Sequence, residues 1–301
     1  MSALQLIIED GTRRRFPPPT FEVWRNPEGM ARGYVYNHDS RDCVRLPGVA
    51  VFEFERESGH VTASPEGSPP PELIEDAFYR CVLPMALQAR GCEVLHASAL
   101  QVSGGAVVGF CGLARTGKST LAEGLRRRGY PLWANDALVL EVSRKSVQAL
   151  PVPFSVRLRP DSQAFFGRHS EPEQWVEHHR GESVPLAALC VLERVRENHD
   201  APLVDVRRLS PAASLRALLT HACCFMTEEA ERKRRTMTNY LDLVAHVPIF
   251  QISFATGFQH FPAVLDAVEE ILGVHERRPA MVDLSGGLTA RPAEALAMTM
   301  E

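Results

Sequence analysis

The pattern of apolar and polar positions divides the chain into a strand-rich beginning and a mixed remainder. Four short runs rich in β-branched and aromatic residues, separated by Pro, Gly, Asn and Asp, predict strands at 4–8, 33–36, 43–46 and 49–54. The Pro- and Ser-rich stretch 64–71 then has the composition of a linker. We therefore predict a small β-rich N-terminal domain over residues 1–70, in which no residues have catalytic spacing.

Beyond residue 71 the periodicity alternates between helix and strand. Residues 72–90 predict a helix kinked at Pro84, because proline cannot donate the helical hydrogen bond. Further helices are predicted at 119–128, 210–221, 228–245 and 261–272, and strands at 93–102, 106–111, 137–142, 147–152, 186–192, 203–207 and 247–253. Ser103-Gly104-Gly105 has hairpin composition, so strands 93–102 and 106–111 should pair antiparallel. The predicted class is α/β with a mixed sheet over 71–275, followed by a loosely ordered tail over 276–301.

Composition and charge narrow the possible partners. The 301 residues carry a net charge of −4 with a pI near 6.3, which gives no electrostatic footprint for nucleic acid or an anionic membrane. No apolar run approaches the roughly 18 residues of a membrane span, and the N-terminus lacks the pattern of a signal peptide. The seven cysteines show no C-x-x-C spacing. We expect a cytoplasmic protein without nucleic-acid or membrane partners.

One motif carries specific chemistry. It fits the phosphate-binding pattern G-x-x-x-x-G-K-[ST], and with the following threonine it comprises Gly112, Leu113, Ala114, Arg115, Thr116, Gly117, Lys118, Ser119 and Thr120. An apolar run precedes it and an amphipathic run follows it. Strand, loop and helix in this order aim backbone N–H groups and the helix dipole at one anionic point. Lys118 can reach the β- and γ-phosphates and Ser119 can ligate Mg²⁺. A tight turn without nucleotide is the alternative.

Around this motif the sequence resembles the HPr kinase/phosphorylase superfamily, especially the shorter HPr-kinase-related serine kinases that modify peptides such as lasso-peptide precursors. The segments that carry the resemblance are 91–100, which contains Leu95-His96-Ala-Ser, the loop region 109–122, and 128–136, which ends in Asn135-Asp136. The resemblance is strong over about 90–160, and the order of later elements to about 272 is also similar. It implies a phosphoenolpyruvate-carboxykinase-like nucleotide-binding core, with ATP and Mg²⁺ as cofactors and a small protein or peptide as substrate.

The resemblance also implies roles for four residues outside the loop. His96 stands at the family's histidine beside the phosphates; without the resemblance, a core histidine would be the better interpretation. Asn135 and Asp136 stand where the family usually has two aspartates, one acting as general base and the other organising Mg²⁺. Arg157 matches a basic position that would stabilise the transferring charge, and Arg159 beside it is a weaker candidate for an anion clamp. Ser119 and Asp136 are the expected metal ligands.

Asn135 is the main departure from the family pattern, because an amide cannot take up a proton near neutral pH. Three interpretations follow. Asp136 serves as the base, or the transfer step depends more on positioning than on a base, or the protein binds ATP without transferring phosphate. We predict a serine kinase; a non-catalytic ATP-binding sensor is the second hypothesis, and a small-molecule kinase or carboxykinase is a weaker third. The divergent first 70 residues give no basis for transferring the family's oligomeric state.

Overall fold

The computed structural model describes residues 4–9, 22–25, 29–38, 41–167, 175–176, 181–195, 202–223 and 230–271. The predicted tail 276–301 lies outside these ranges. The chain forms two compact units: among the described residues, one contains those up to Cys92 together with 230–235, and the other contains 93–223 and 236–271.

The first unit is built on a six-stranded sheet, in which four strands correspond to those predicted before residue 70 and two were not predicted. Its strands are β1 (Gln5–Ile8), β2 (Glu22–Arg25), β3 (Ala31–His38), β4 (Arg41–Leu46), β5 (Ala50–Phe54) and β6 (His60–Pro65). They lie in the order β1-β6-β5-β4-β3-β2, with only β1 and β6 parallel among these described strands. Every residue of β5 is buried, as expected for a strand in the middle of the sheet.

The helical segment that follows clusters with this first unit, so the stretch near residue 70 separates a sheet from helices within one compact body. Helix α1 (Pro71–Ala77) and helix α2 (Leu83–Ala89) are joined by a single π-helical turn, Phe78–Val82. The predicted irregularity at Pro84 therefore takes the form of a widened turn just before it. This is the expected response to a residue that lacks an N–H and clashes with the carbonyl four positions earlier.

The second unit contains a nine-stranded mixed sheet. Its strands are β7 (Glu93–Leu95), β8 (Ala97–Gln101), β9 (Val107–Cys111), β10 (Leu132–Ala134), β11 (Leu138–Val142), β12 (Val147–Ala149), β15 (Val184–Val195), β16 (Val204–Arg208) and β17 (Ile249–Ala255), with a separate antiparallel pair formed by β13 (Phe154–Ser155) and β14 (Trp175–Val176). The mixed α/β class is as predicted. The long strand β15 runs parallel to β9 on one side and to β17 on the other.

The hairpin before the phosphate-binding motif is confirmed, because β8 and β9 pair antiparallel from Ala97↔Cys111 to Gln101↔Val107. The single strand predicted over 93–102 is wrong. The strand is interrupted at His96, so that β7 pairs with β11 while β8 pairs with β9 and β10. Continuous apolar character could not reveal this break, since both halves are buried strands with different neighbours.

Helices cover both faces of the sheet in the second unit. The helices of this unit are α3 (Lys118–Arg127), α4 (Pro160–Phe165), α5 (Pro211–His221), α7 (Phe261–Ile271) and, from residue 236 onwards, α6 (Ala230–His246). One core joins Leu189 of β15 to Leu218 of α5 and Tyr240 of α6. The other joins Cys190, the next residue of β15, to Leu125 of α3 and Val268 of α7. Alternation along one strand thus assigns each side chain to one of two cores.

Helix α5 begins as its sequence predicts, because the Ser210 hydroxyl accepts a hydrogen bond from the backbone N–H of Ala213 and Pro211 occupies the first turn. Among the described residues, no helix is both long enough and apolar enough to cross a bilayer.

Candidate functional site

The phosphate-binding motif forms the connection between β9 and α3. The strand ends at Cys111, and α3 begins at Lys118 after a loop whose last residue, Gly117, has φ 101°. A side chain at Gly112 is excluded, since a Cβ there would lie 2.5 Å from the Thr116 hydroxyl oxygen. Glycines at these two positions let the loop close tightly. The intervening residues 113–115 are exposed at the crest of the loop.

Lys118 is folded back over this loop. Its side-chain nitrogen donates to the carbonyl oxygens of Gly112 at 2.8 Å and Leu113 at 3.3 Å, and the residue is only 6% exposed. Burial lowers the pKa of Lys118, and the carboxylate of Asp136 acts in the opposite direction. The structure therefore places a cation, with a carboxylate within electrostatic range, at the amino end of α3.

Asn135 organises the hydroxyl of Ser119. Its side-chain oxygen accepts from Ser98 at 2.9 Å and from Ser119 at 3.0 Å, while its nitrogen donates to the carbonyl oxygen of Ser155 at 3.0 Å. These three partners fix the orientation of the amide, which is buried. Because the hydrogen of Ser119 is directed at Asn135, the lone pairs of Ser119 remain available on its other side. Asn135 thus positions the hydroxyl of Ser119, and its own side chain does not face a phosphate acceptor.

Asp136 differs from its neighbour in being exposed, and its backbone has φ 66°. Arg115 in the loop, with φ 68°, is the other non-glycine residue of the described chain in the left-handed region. Such conformations cluster at functional sites, where the surrounding structure maintains the strain. The turn presents the Asp136 carboxyl group to solvent beside the loop.

His96 is tied to the same turn. Its ring nitrogen Nδ1 lies 3.0 Å from the carbonyl oxygen of Asp136. Because a carbonyl oxygen can only accept, Nδ1 carries the hydrogen, and in the neutral ring Nε2 remains an acceptor. The break between β7 and β8 is what places His96 here, since its own N–H donates to the carbonyl oxygen of His221 at 2.9 Å.

The segment that carries Arg157 is attached to the site at both ends. Ser155 accepts from Asn135, as described above, and the hydroxyl of Ser162 in α4 lies 2.8 Å from that of Thr120 in α3. Arg157 is exposed between these two attachments, whereas Arg159 occupies the N-cap position of α4 without a capping hydrogen bond from its side chain. The structure thus brings the segment of Arg157 to the candidate site.

Two residues that the sequence did not single out also belong to this neighbourhood. Arg194, near the end of β15, donates from Nε to the carbonyl oxygen of Thr116 at 3.2 Å. His221, at the end of α5, is buried, and its pKa is lowered first by burial and then by the charges of Lys118 and His96. A signal for Arg194 was present: it lies two positions after the apolar run 186–192, and the carboxyl ends of parallel strands gather at the ligand-binding edge of an α/β sheet. His221 had no comparable signal.

The cysteine beside the loop is not a nucleophile. Cys111 is fully buried, and its burial raises the pKa of the thiol to about 12. At neutral pH it stays protonated, which excludes thiolate chemistry at this position.

Comparison with known proteins adds one finding. No protein-family model and no curated protein matches the sequence. A solved structure, the Hpr(Ser) kinase/phosphatase from Coxiella burnetii, is similar over 61% of this chain and 99% of that chain, with 13% identity and a TM-score of 0.31. This similarity is low and carries no information about the chemistry of the site.

The oxygen atoms at the site suit Mg²⁺ bound together with phosphates. Among the described residues, no group of three His, Cys, Asp or Glu side chains forms a metal cluster. Mg²⁺ does not need one, since it commonly takes one or two protein oxygens and completes its octahedron with phosphate oxygens and water. The oriented hydroxyl of Ser119 and the exposed carboxylate of Asp136 are donors of this kind.

Arg194→Ala tests whether the contact from β15 positions the loop. We expect the affinity for ATP to fall about three- to tenfold, because the loop loses a hydrogen bond from a charged donor that holds the Thr116 carbonyl in place. Isothermal titration calorimetry would measure this, with Arg144→Ala, an exposed arginine in the turn after β11, as the matched control. Equal affinities for both variants and the wild type would show that Arg194 does not position the loop.

The burial of His221 predicts a pH dependence of stability. Its pKa is lower in the folded protein than the ordinary 6.5, so the unfolded chain binds the proton more readily and stability falls as the pH drops below about 6.5. His221→Gln removes the imidazole. Between pH 7.5 and pH 5.5 the melting temperature of the variant should therefore fall less than that of the wild type. His246→Gln, at an exposed position in α6, should behave as the wild type does. Identical pH profiles for His221→Gln and the wild type would contradict the prediction.

Proposed function

We propose that this protein is an ATP- and Mg²⁺-dependent serine kinase of the HPr-kinase type, which transfers the γ-phosphoryl group to a hydroxyl of a small protein or peptide. The observation that carries the proposal is the pairing of two differently held side chains at one loop. Lys118 is buried and folded over the loop, and Asp136 is exposed beside it on a strained turn. Lys118 is suited to bind phosphate, and Asp136 is suited to contact the hydroxyl that accepts the phosphoryl group.

The nucleotide phosphates would bind at the amino end of α3. There the backbone N–H groups of the loop and Lys118 supply positive charge from fixed positions, which is the main requirement of phosphoryl transfer. To bind phosphate, the lysine exchanges its contacts with Gly112 and Leu113 for phosphate oxygens. Ser119 and Asp136 would hold Mg²⁺, which when bound neutralises charge on the transferring group.

The acceptor hydroxyl would approach from the side of Asp136. As its oxygen bonds to the γ-phosphorus, the bond to the β-γ bridging oxygen breaks, ADP leaves, and Asp136 takes up the hydroxyl proton. His96 would orient this turn through the Asp136 carbonyl. Arg157 would add positive charge where the transferring group passes. Asn135 contributes by orienting Ser119, and it needs no proton for that role.

The core fold that we propose for the second unit is phosphoenolpyruvate-carboxykinase-like. Its support is the antiparallel hairpin that leads into the loop strand, followed by a short return from α3 to Asn135-Asp136 along β10. The cytoplasmic location and the small protein or peptide acceptor remain predictions of the sequence.

A labelling experiment tests the proposal. The purified protein, Mg²⁺ and ATP labelled in the γ-phosphate are incubated with host lysate, beside the variant Asp136→Asn. Label on a small polypeptide, lost in the variant while ATP binding persists, supports the kinase. Absence of label with intact ATP binding would overturn it in favour of a nucleotide-binding module, the second hypothesis from the sequence.

A further inference from the structure

A cleft of about 510 Å³ lies in the second unit beside helix α5. Its walls come from the end of β16, the start and one face of α5, and Gln251 of β17. Ala213, Arg216 and Thr220 line it at intervals of three or four residues, so the cleft follows one face of the helix.

The cleft is positively charged. Arg207, Arg208 and Arg216 line it, and none of the described residues that line it is acidic. Arg207 donates to the side-chain oxygen of Gln251 at 2.9 Å, while Gln251 in turn donates to Glu193. Within the described part of the chain, the guanidinium groups of Arg208 and Arg216 have no hydrogen-bond or ion-pair partner, and both residues are exposed. The cleft therefore concentrates positive charge that a ligand can neutralise.

The direction of α5 connects this cleft to the candidate site. The helix starts at Pro211 beside the arginines of β16 and ends at His221, whose carbonyl oxygen accepts from the N–H of His96. Eleven helical residues span about 16 Å, which corresponds to roughly five residues of extended peptide. A segment lying along α5 with a hydroxyl near Asp136 would place side chains two to five positions away over the arginines.

We propose that this cleft binds an acidic segment of the acceptor polypeptide, next to the residue that is phosphorylated. The inference rests on the proposed kinase function and specifies its substrate class. Carboxylates match guanidinium groups in geometry as well as in charge. A peptide suits the cleft better than a nucleic acid does, since the cleft is short and the chain as a whole is acidic, with a net charge of −4.

The test uses two fluorescein-labelled peptides of eleven residues, each with a central serine. One carries Asp and Glu at two to five positions on both sides of the serine, and the other carries Asn and Gln there. Fluorescence anisotropy without nucleotide should show that the full-length protein binds the acidic peptide at least about tenfold more tightly. The double variant Arg208→Glu/Arg216→Glu should lose this preference. Arg144→Glu, a charge reversal at an exposed position away from the cleft, should retain it.

The outcomes separate the inference from the proposed function. Equal affinity for the two peptides, or an equal loss in the Arg144→Glu control, overturns the cleft proposal. So does a short single-stranded RNA that competes as well as the acidic peptide does. Transfer assays with Mg²⁺ and ATP then distinguish the two ideas. Transfer to both peptides with equal kcat/KM supports the kinase proposal but contradicts the proposed role of the cleft. Binding of the acidic peptide that depends on Arg208 and Arg216, without transfer to any acceptor, supports the proposed role of the cleft but contradicts the kinase proposal.

Discussion

Lys118→Ala is expected to reduce the affinity for ATP by about 100-fold or more. Hydrogen bonds to charged groups contribute on the order of 1.5–3 kcal/mol each, and about 1.4 kcal/mol corresponds to a tenfold change in affinity. A lysine that contacts two phosphates therefore accounts for a factor of about 100 or more in the affinity for ATP. We take the lower end of this range, because Lys118 gives up its hydrogen bonds to Gly112 and Leu113 when it binds phosphate.

Calorimetry of ATP binding in the presence of Mg²⁺ would measure this change. Lys145→Ala is the matched control, because Lys145 is exposed in the turn between β11 and β12 of the same unit. The melting temperature of Lys118→Ala should stay close to that of the wild type, since removing a partly desolvated cation offsets the two lost hydrogen bonds. Unchanged ATP affinity in a folded Lys118→Ala protein would show that the loop is not the phosphate site.

Asn135→Asp is expected to destabilise the protein by about 1–3 kcal/mol at pH 8. The side-chain nitrogen of Asn135 donates to the carbonyl oxygen of Ser155 at 3.0 Å, and a carboxylate would place a second acceptor there. A buried group left without its partner costs about 1–3 kcal/mol, and a buried charge costs more. The hydrogen bonds from Ser98 and Ser119 offset only part of this, since either an amide or a carboxylate oxygen can accept them.

The pH dependence of this variant has a definite sign. Burial disfavours the charged form of the introduced carboxyl group, so its pKa in the folded protein lies above that in the unfolded chain. Its destabilising effect is then complete at high pH and declines as the pH falls through the folded pKa. The difference in melting temperature between variant and wild type should be smaller at pH 5 than at pH 8. We also expect no gain of phosphoryl transfer. A stable Asn135→Asp protein with new transfer activity would instead favour the interpretation that Asn135 had abolished catalysis in the wild type.

Much of the local architecture followed from neighbouring residues alone. The strand, loop and helix around Lys118 were predicted because glycine spacing, apolar periodicity and a terminating Gly129 all agree over some 25 residues. The hairpin at Ser103-Gly104-Gly105 and the start of α5 at Ser210-Pro211 were predicted for the same reason. In each case, the residues that determine the conformation lie within a few positions of one another.

The features that the sequence did not predict involve residues whose partners are distant in the chain. The break at His96 is held by the carbonyl groups of Asp136 and His221, which lie 40 and 125 positions away in sequence. Arg194 reaches the loop across 78 positions. For Asn135 the sequence left three interpretations open, and its hydrogen bonds to Ser98, Ser119 and Ser155, which depend on residues up to 37 positions away, could not be predicted from the neighbouring residues.

The sequence by itself determined that the chain has a loop matching the phosphate-binding pattern in its strand–loop–helix setting, an α/β class with a β-rich beginning, and an acidic residue placed soon after the loop. Only the tertiary structure decided which atoms meet there: that Asn135 orients Ser119, that Asp136 is exposed on a strained turn, and that a basic cleft lies along one face of α5 as far as Thr220. The physical reason is that turns, caps and periodicity act between residues a few positions apart. Hydrogen-bond partners and surface charge clusters depend on strand pairing and helix packing between residues far apart in the chain.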